Sequence, residues 1–144
     1  KTHMKVFEWG SGGSTLFFAL HCDKIVTVED DISWYENVRR KLQDRLSQCD
    51  LRLITSQDCA TYSNEIGDFD NKHFDVILID GKCRNECITI SIDKVKKGGL
   101  IVLDNSERVE YLEGINKLHE LRRIDFWGPG PYNLYFWQTS IFVR

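Results

Sequence analysis

The residues with the most chemistry in this chain stand where its apolar runs end. The first run is followed by Glu8-Trp9-Gly10-Ser11-Gly12-Gly13-Ser14. Glycines at such a place let the backbone turn sharply and approach a ligand with no Cβ in the way. The second run ends in Glu29, about 20 residues past the loop, where a carboxylate can hydrogen-bond the hydroxyls of a ribose. Glu8, ahead of the first glycine, would repel a pyrophosphate but suits a cationic amino-acid ligand. The loop departs from the dinucleotide fingerprint, because Thr15 stands where the third glycine belongs, and no GK[ST] of a phosphate-binding loop occurs. Two later runs end in acids as well. FDVILIDGK carries Asp80 and Lys82, and LIVLDN carries Asp104 and Asn105. On neighbouring strands these would bring two acids and an amide together. Such groups can move a proton, orient an acceptor, or offer oxygens to Mg²⁺ or Ca²⁺.

The elements that must position these residues follow from the hydrophobic period. Segments 4–9, 24–29, 51–55, 74–79 and 100–103 are short apolar or β-branched runs and read as strands. Segments 14–22, 32–46, 85–95 and 109–121 read as helices; Trp34, Val38, Leu42 and Leu46 share one face of the second. Lys96-Lys97-Gly98-Gly99 reads as C-cap chemistry closing the third helix. Segment 56–73 is polar, a loop with one short helix. Segments 124–127 and 134–143 are aromatic-rich strands around GPGPYN and should pair antiparallel. The order predicts an α/β fold: a doubly wound, mostly parallel seven-stranded sheet with helices on both faces and a C-terminal antiparallel pair. Ligands of such sheets bind at the carboxyl ends of the strands. Trp127, Tyr132, Tyr135 and Trp137 around the last turn either pack the edge pair or line a substrate pocket. Asp104, Asn105 and Ser106 could equally cap the helix that follows them.

Glu8-x-Gly10-x-Gly12 after a strand, Glu29 after the next, FDVILIDG and GGLIVLDN together resemble the class I S-adenosylmethionine-dependent methyltransferases. The resemblance runs from Lys5 to Val143 and implies their Rossmann-like fold. It implies that Glu8, Gly10, Ser11 and Gly12 face the methionine part of S-adenosylmethionine and that Glu29 holds the ribose. The adenine would meet residues after the third strand, around Gln57-Asp58-Cys59, with Asp58 its polar contact. By the same resemblance Asp80 would face both cofactor and acceptor. The implied activity is methyl transfer to a small-molecule acceptor, at oxygen, with Asp80, Lys82 and Asp104 carrying the chemistry. The catechol-type O-methyltransferases place an acid after the fourth strand and Asp-Asn after the fifth on a divalent metal. Here the place three residues after the first acid, where a lysine is expected, holds Cys83, with Lys82 second and Arg84 fourth. No third carboxylate is identifiable, so cofactor plus Lys82 is preferred over a metal. Two other readings stay open: a non-catalytic nucleoside-cofactor-binding domain, and an NAD-dependent oxidoreductase.

The chain of 144 residues is read as one domain, 1–144, without the N-terminal helices that cover the cofactor in many such enzymes. Its 19 Lys and Arg against 22 Asp and Glu argue against a nucleic-acid partner bound through a basic face. No apolar run reaches membrane-spanning length and no signal peptide is visible, so a cytoplasmic location is expected. Cys22, Cys49, Cys59, Cys83 and Cys87 include no CxxC pair and are read as free, mostly buried thiols of a reducing compartment. Cys83 and Cys87 would share a helix face. His3, His21, His73 and His119 fall on no predicted site.

Overall fold

The computed structural model describes residues 2–130 and 135–144. The expectation for Tyr132 lies outside them. Seven strands form one sheet in the order β3-β2-β1-β4-β5-β7-β6. They are β1 (Thr2–Trp9), β2 (Cys22–Glu29), β3 (Cys49–Leu53), β4 (Phe74–Ile79), β5 (Val95–Leu103), β6 (Arg122–Pro129) and β7 (Phe136–Val143). β1 to β5 are mutually parallel, while β7 runs antiparallel between β5 and β6. The chain winds outward from β1 to β3 and then returns to β4, so the topological switch lies between β1 and β4.

Strand alternation sorts the core onto two faces. Val6, Ile25 and Val76 face one side, where Ala19 of α1 (Gly13–His21) and Val38 and Leu42 of α2 (Ile32–Leu42) pack on them. Phe7, Val26, Ile77 and Ile101 face the other. There they meet Tyr62 of α3 (Cys59–Ser63), Cys87 and Ile88 of α4 (Arg84–Lys94) and Ile115 of α5 (Leu112–Lys117). Helices therefore cover both faces, as the order of elements predicted. No helix among the described residues is long and apolar enough to cross a membrane.

Several boundaries differ from the periodic reading, each for a local reason. α2 starts at its Asp31 cap, which accepts from the Trp34 N–H at 2.7 Å. It stops at Leu42 because Gln43 takes a left-handed φ of 43° and opens the 3₁₀ turn Gln43–Gln48. Lys96-Lys97-Gly98-Gly99 does not cap α4. Val95 is wholly buried opposite Phe74 and draws the chain into β5 at once. Gly98, at φ 78°, then serves a register irregularity inside the strand. The helix expected over 109–121 is a 3₁₀ turn, Val109–Tyr111, followed by the short α5.

The reading of all five cysteines as free thiols is corrected. Cys59 and Cys83 form a disulfide with Cα atoms 5.4 Å apart, whereas Cys22, Cys49 and Cys87 are buried thiols. Cys83 and Cys87 therefore do not share a helix face as a pair. Cys83 precedes α4 in the left-handed region and points to α3, while Cys87 turns into the core. The sequence sets Cys59 and Cys83 24 positions apart but does not show that the start of α3 and the turn before α4 come together. Closing a loop of that length is worth about 3 kcal/mol through the unfolded state. The variant with Cys59→Ser and Cys83→Ser should lose about that much in urea unfolding. Unchanged stability would show that the bond contributes nothing in solution.

Candidate active site

The registers align one residue from each strand end along the carboxyl rim. Val28 pairs with Trp9, Trp9 with Ile79, Ile79 with Leu103, Leu103 with Ser140, and Ser140 with Asp125. The backbone bonds from Gly10 N–H to Val28, Asp80 N–H to Trp9 and Asp104 N–H to Ile79, at 2.8, 2.8 and 3.1 Å, carry the pattern on past the strands. One step further along each strand, the row reads Glu29, Gly10, Asp80, Asp104, Thr139, Phe126. By alternation it lies on the α1/α2 side of the sheet.

At the left of the row, two buried carboxylates hold the glycine loop. Glu29 is 5% exposed. One of its oxygens accepts from the Ser11 N–H and hydroxyl at 3.0 and 2.7 Å, and the other from the N–H groups of Asp30 and Asp31 at 2.9 and 3.0 Å. Glu8 is completely buried. It accepts from the hydroxyls of Ser14, Thr15 and Thr27, the last two at 2.5 and 2.8 Å. Burial pushes its pKa up to about 7, against the pull of those hydroxyls, and the charge of Asp80 adds to the rise. Glu8 thus fastens the loop to α1 and β2 from beneath. Thr15, in the place of a fingerprint glycine, also accepts from the Gly12 N–H at 2.8 Å.

Gly10 has φ 89°, and a Cβ there would lie 2.6 Å from the Gly81 nitrogen. The loop's first glycine therefore serves the contact between two turns. A Cβ on Gly12 would meet nothing closer than the Trp34 ring at 4.0 Å, so the loop is open there. Trp34 lines this opening and donates its indole N–H to the Ser11 carbonyl at 2.6 Å. The helical period had shown it only as part of an apolar face.

At the centre, Asp80 and Asp104 stand side by side, but Lys82 is not with them. Its ammonium reaches the Ser56 carbonyl at 2.7 Å and Asp30 at 3.2 Å, over the Tyr62 ring. The cation at the acid pair is Arg84, 8% exposed. It donates to the Asp80 carboxylate at 3.0 Å, to the Gly81 and Asp80 carbonyls at 2.8 and 2.7 Å, and to the Asp104 carbonyl. Arg84 stands four residues after Asp80, at the first position of α4, and the turn through Cys83 brings it back to the acid. Thr139 donates to the Asp104 carboxylate at 2.6 Å. Partial desolvation and the neighbouring Asp104 charge lift Asp80 to about 6, against the pull of Arg84. Asp58 stands apart from the row. Its carboxylate caps α3, accepting from the Thr61 hydroxyl and N–H and the Ala60 N–H at 2.7, 2.9 and 3.4 Å. Asn105 caps no helix; it lies in a turn at φ 50°.

At the right, a cavity of about 510 Å³ is bounded by Asp80, Asp104, Asn105, Phe126, Trp137 and Thr139. That volume suits a small molecule. Among the described residues no group of three or more His, Cys, Asp and Glu is placed to hold a metal. Arg84 and Thr139 each engage one oxygen of Asp80 and Asp104, and no third acid joins the pair among the described residues, so the donor set does not fit the catechol-type ion.

Glu8 holds a proton more tightly in the fold, at about 7, than its ordinary 4.5. Between those values the folded state carries the extra proton, so unfolding free energy falls as pH rises and levels off above about 7. Glu8→Gln cannot titrate. The difference in stability between wild type and variant should change by on the order of 3 kcal/mol across that window, in urea melts at stepped pH. A constant difference would show that Glu8 is ionised throughout.

No family model and no curated protein matches the chain. Solved structures do. The O-methyltransferase TomG from Streptomyces achromogenes, in complex with SAM, superposes with a TM-score of 0.75 at 14% identity, over 97% of this chain and 72% of that one. The O-methyltransferase from Bacillus cereus, in complex with SAH, gives 0.73 at 16%, over 97% and 73%. Spermidine synthase from Thermotoga maritima gives 0.69 at 19%, over 97% of this chain but 52% of that one, so the chain spans about half its length. The chain has the class I methyltransferase fold.

Proposed function

We propose that this chain transfers a methyl group from S-adenosylmethionine to a small-molecule acceptor. The observation that carries the reading is the row along the rim. A glycine loop and a strand-end carboxylate of the nucleoside-binding kind lie at one end, a small-molecule cavity at the other, and Asp80 stands where they meet. The SAM and SAH complexes of the O-methyltransferases that share the fold support the choice of cofactor. Thr15 supports it against a dinucleotide, because its hydroxyl is committed to Glu8 where close glycine packing would be needed.

The residues divide the work as follows. The open loop at Ser11 and Gly12, beside Trp34, would hold the amino-acid part of the cofactor, and Glu29 would take the ribose hydroxyls. Lys82, at the ends of β2 and β3, belongs to the cofactor side. Bound there, the cofactor supplies an electrophilic methyl group on a sulfonium. The chain's main task is to align an acceptor's lone pair with it, and alignment can supply much of the barrier reduction. Asp80 is placed to orient the acceptor and take its proton, with Arg84 fixing the carboxylate. Oxygen, which the catechol-type resemblance implies, and nitrogen both offer the required lone pair.

Calorimetric titration should show S-adenosylhomocysteine binding, with NAD and ADP not binding. Glu29→Ala should weaken S-adenosylhomocysteine by ~1.5–3 kcal/mol, the range for hydrogen bonds to a charged group. NAD binding with no S-adenosylhomocysteine binding would favour an oxidoreductase. Asp80 must be ionised to take a proton. With its pKa at about 6, kcat/KM should fall as pH drops through that value, and Asp80→Asn should be slow and lack this limb. A wild-type profile in the Asn variant would remove Asp80 from the chemistry, and binding without any turnover would favour a non-catalytic domain.

A further inference from the structure

The cavity's walls carry one sign of charge and an aromatic face. Among its described lining residues the charged ones are Asp80 and Asp104, and no Lys, Arg or His reaches it. Arg84 neutralises one of the two from behind, pairing with Asp80 at 3.0 Å, and leaves a net negative charge at the floor. The β6–β7 register puts Phe126 opposite Thr139, and Gly128 opposite Trp137. Phe126 and Trp137 therefore share the face on which Thr139 bonds Asp104. Gly130 lies against the Trp137 indole so closely that a Cβ would fall 1.6 Å from it. Phe126 is 54% exposed among the described residues. Asn105 borders the same cavity and is 6% exposed; its buried amide nitrogen has no hydrogen-bond partner among the described residues. A carboxylate floor under aromatic faces is the environment that attracts an organic cation, through the ion pair and through the negative faces of the rings. It gives no such advantage to a neutral alcohol.

Resting on the methyltransferase reading, we propose that this cavity takes the acceptor as an amine, bound as its ammonium ion, and that the methyl group goes to its nitrogen. The ammonium gives one proton to the Asp80 carboxylate. The freed nitrogen lone pair forms the N–C bond to the methyl carbon while the C–S bond breaks, its electron pair staying on sulfur, which becomes a thioether. The product leaves as the methylated ammonium. The Asp80 proton passes to water through that side chain's exposed part, which is 46% of its surface.

The test uses the whole chain saturated with S-adenosylhomocysteine and three pairs of probes: 2-phenylethylamine with 2-phenylethanol, cyclohexylamine with cyclohexanol, and 1,4-diaminobutane with 1,4-butanediol. Calorimetry should show at least one amine binding tenfold or more tighter than its alcohol. Asp104→Asn should cut that ratio below threefold, and Phe126→Ala should weaken the amine while leaving its alcohol within twofold. With S-adenosylmethionine, mass spectrometry should find one added methyl on the preferred amine. Alcohols that match the amines, or amines that all fail to bind while S-adenosylhomocysteine does, would overturn the amine assignment alone. Failure of S-adenosylhomocysteine itself to bind would overturn the methyltransferase reading beneath it.

Discussion

Two turns of backbone touch at the centre of the rim, and the site is arranged around that contact. Gly10, after β1, and Gly81, after β4, approach until neither has room for a Cβ: Gly10 would collide with the Gly81 nitrogen, and Gly81 with the Tyr62 hydroxyl at 2.2 Å. The sheet's topology makes this the switch point, where the chain has left on both sides and a crevice opens. A side chain at either place would push the turns apart. That would separate the loop held by Glu29 from the acid at the end of β4. The close approach is thus what joins the two halves of the proposed site, one for the cofactor and one for the acceptor.

The buried charges then have distinct tasks set by their surroundings. Glu8 lies beneath the loop, shielded from water and surrounded by hydroxyls, and it secures the start of α1. Glu29 meets backbone N–H groups at the loop and strand end and has the geometry to exchange some of them for a ligand's hydroxyls. Asp80 is more open, next to another carboxylate, and is restrained by Arg84. Three carboxylates on three adjacent strands therefore do different things, with burial and hydrogen-bond partners deciding which. Arg84 links the ends of β4 and β5 through three carbonyls besides its carboxylate, so it is a structural clamp as well as a counter-charge.

Much of this was legible in the chain because parallel strands buried on both faces write continuous apolar runs. FDVILI and LIVL place Asp80 and Asp104 at strand ends, and the helix-free stretch before β7 marks the antiparallel pair. The row of residues across the rim follows from order and register alone. What escaped was contact between segments distant in sequence. Lys82 was expected at the acids because it is near Asp80 along the chain, yet the turn after Gly81 sends it to Asp30 and Ser56, and Arg84, the first residue of α4, takes its place. Asp58 carries the ordinary pattern of a helix cap, which a strand-end position obscured. The Cys59–Cys83 bond and the Trp34 contact with the loop depend on tertiary proximity, and no spacing in the sequence encodes them.

The central claim is that one ligand lies across the β1–β4 junction and points its reactive end toward the acid pair. A crystal structure of the chain with S-adenosylhomocysteine tests this directly. The ribose hydroxyls should lie within hydrogen-bond distance of Glu29, the amino-acid part against Ser11 and Gly12, and the sulfur should face the space above Asp80 and Asp104. S-adenosylhomocysteine seated away from the Gly10–Gly81 contact, or with its sulfur turned from Asp80, would contradict the account.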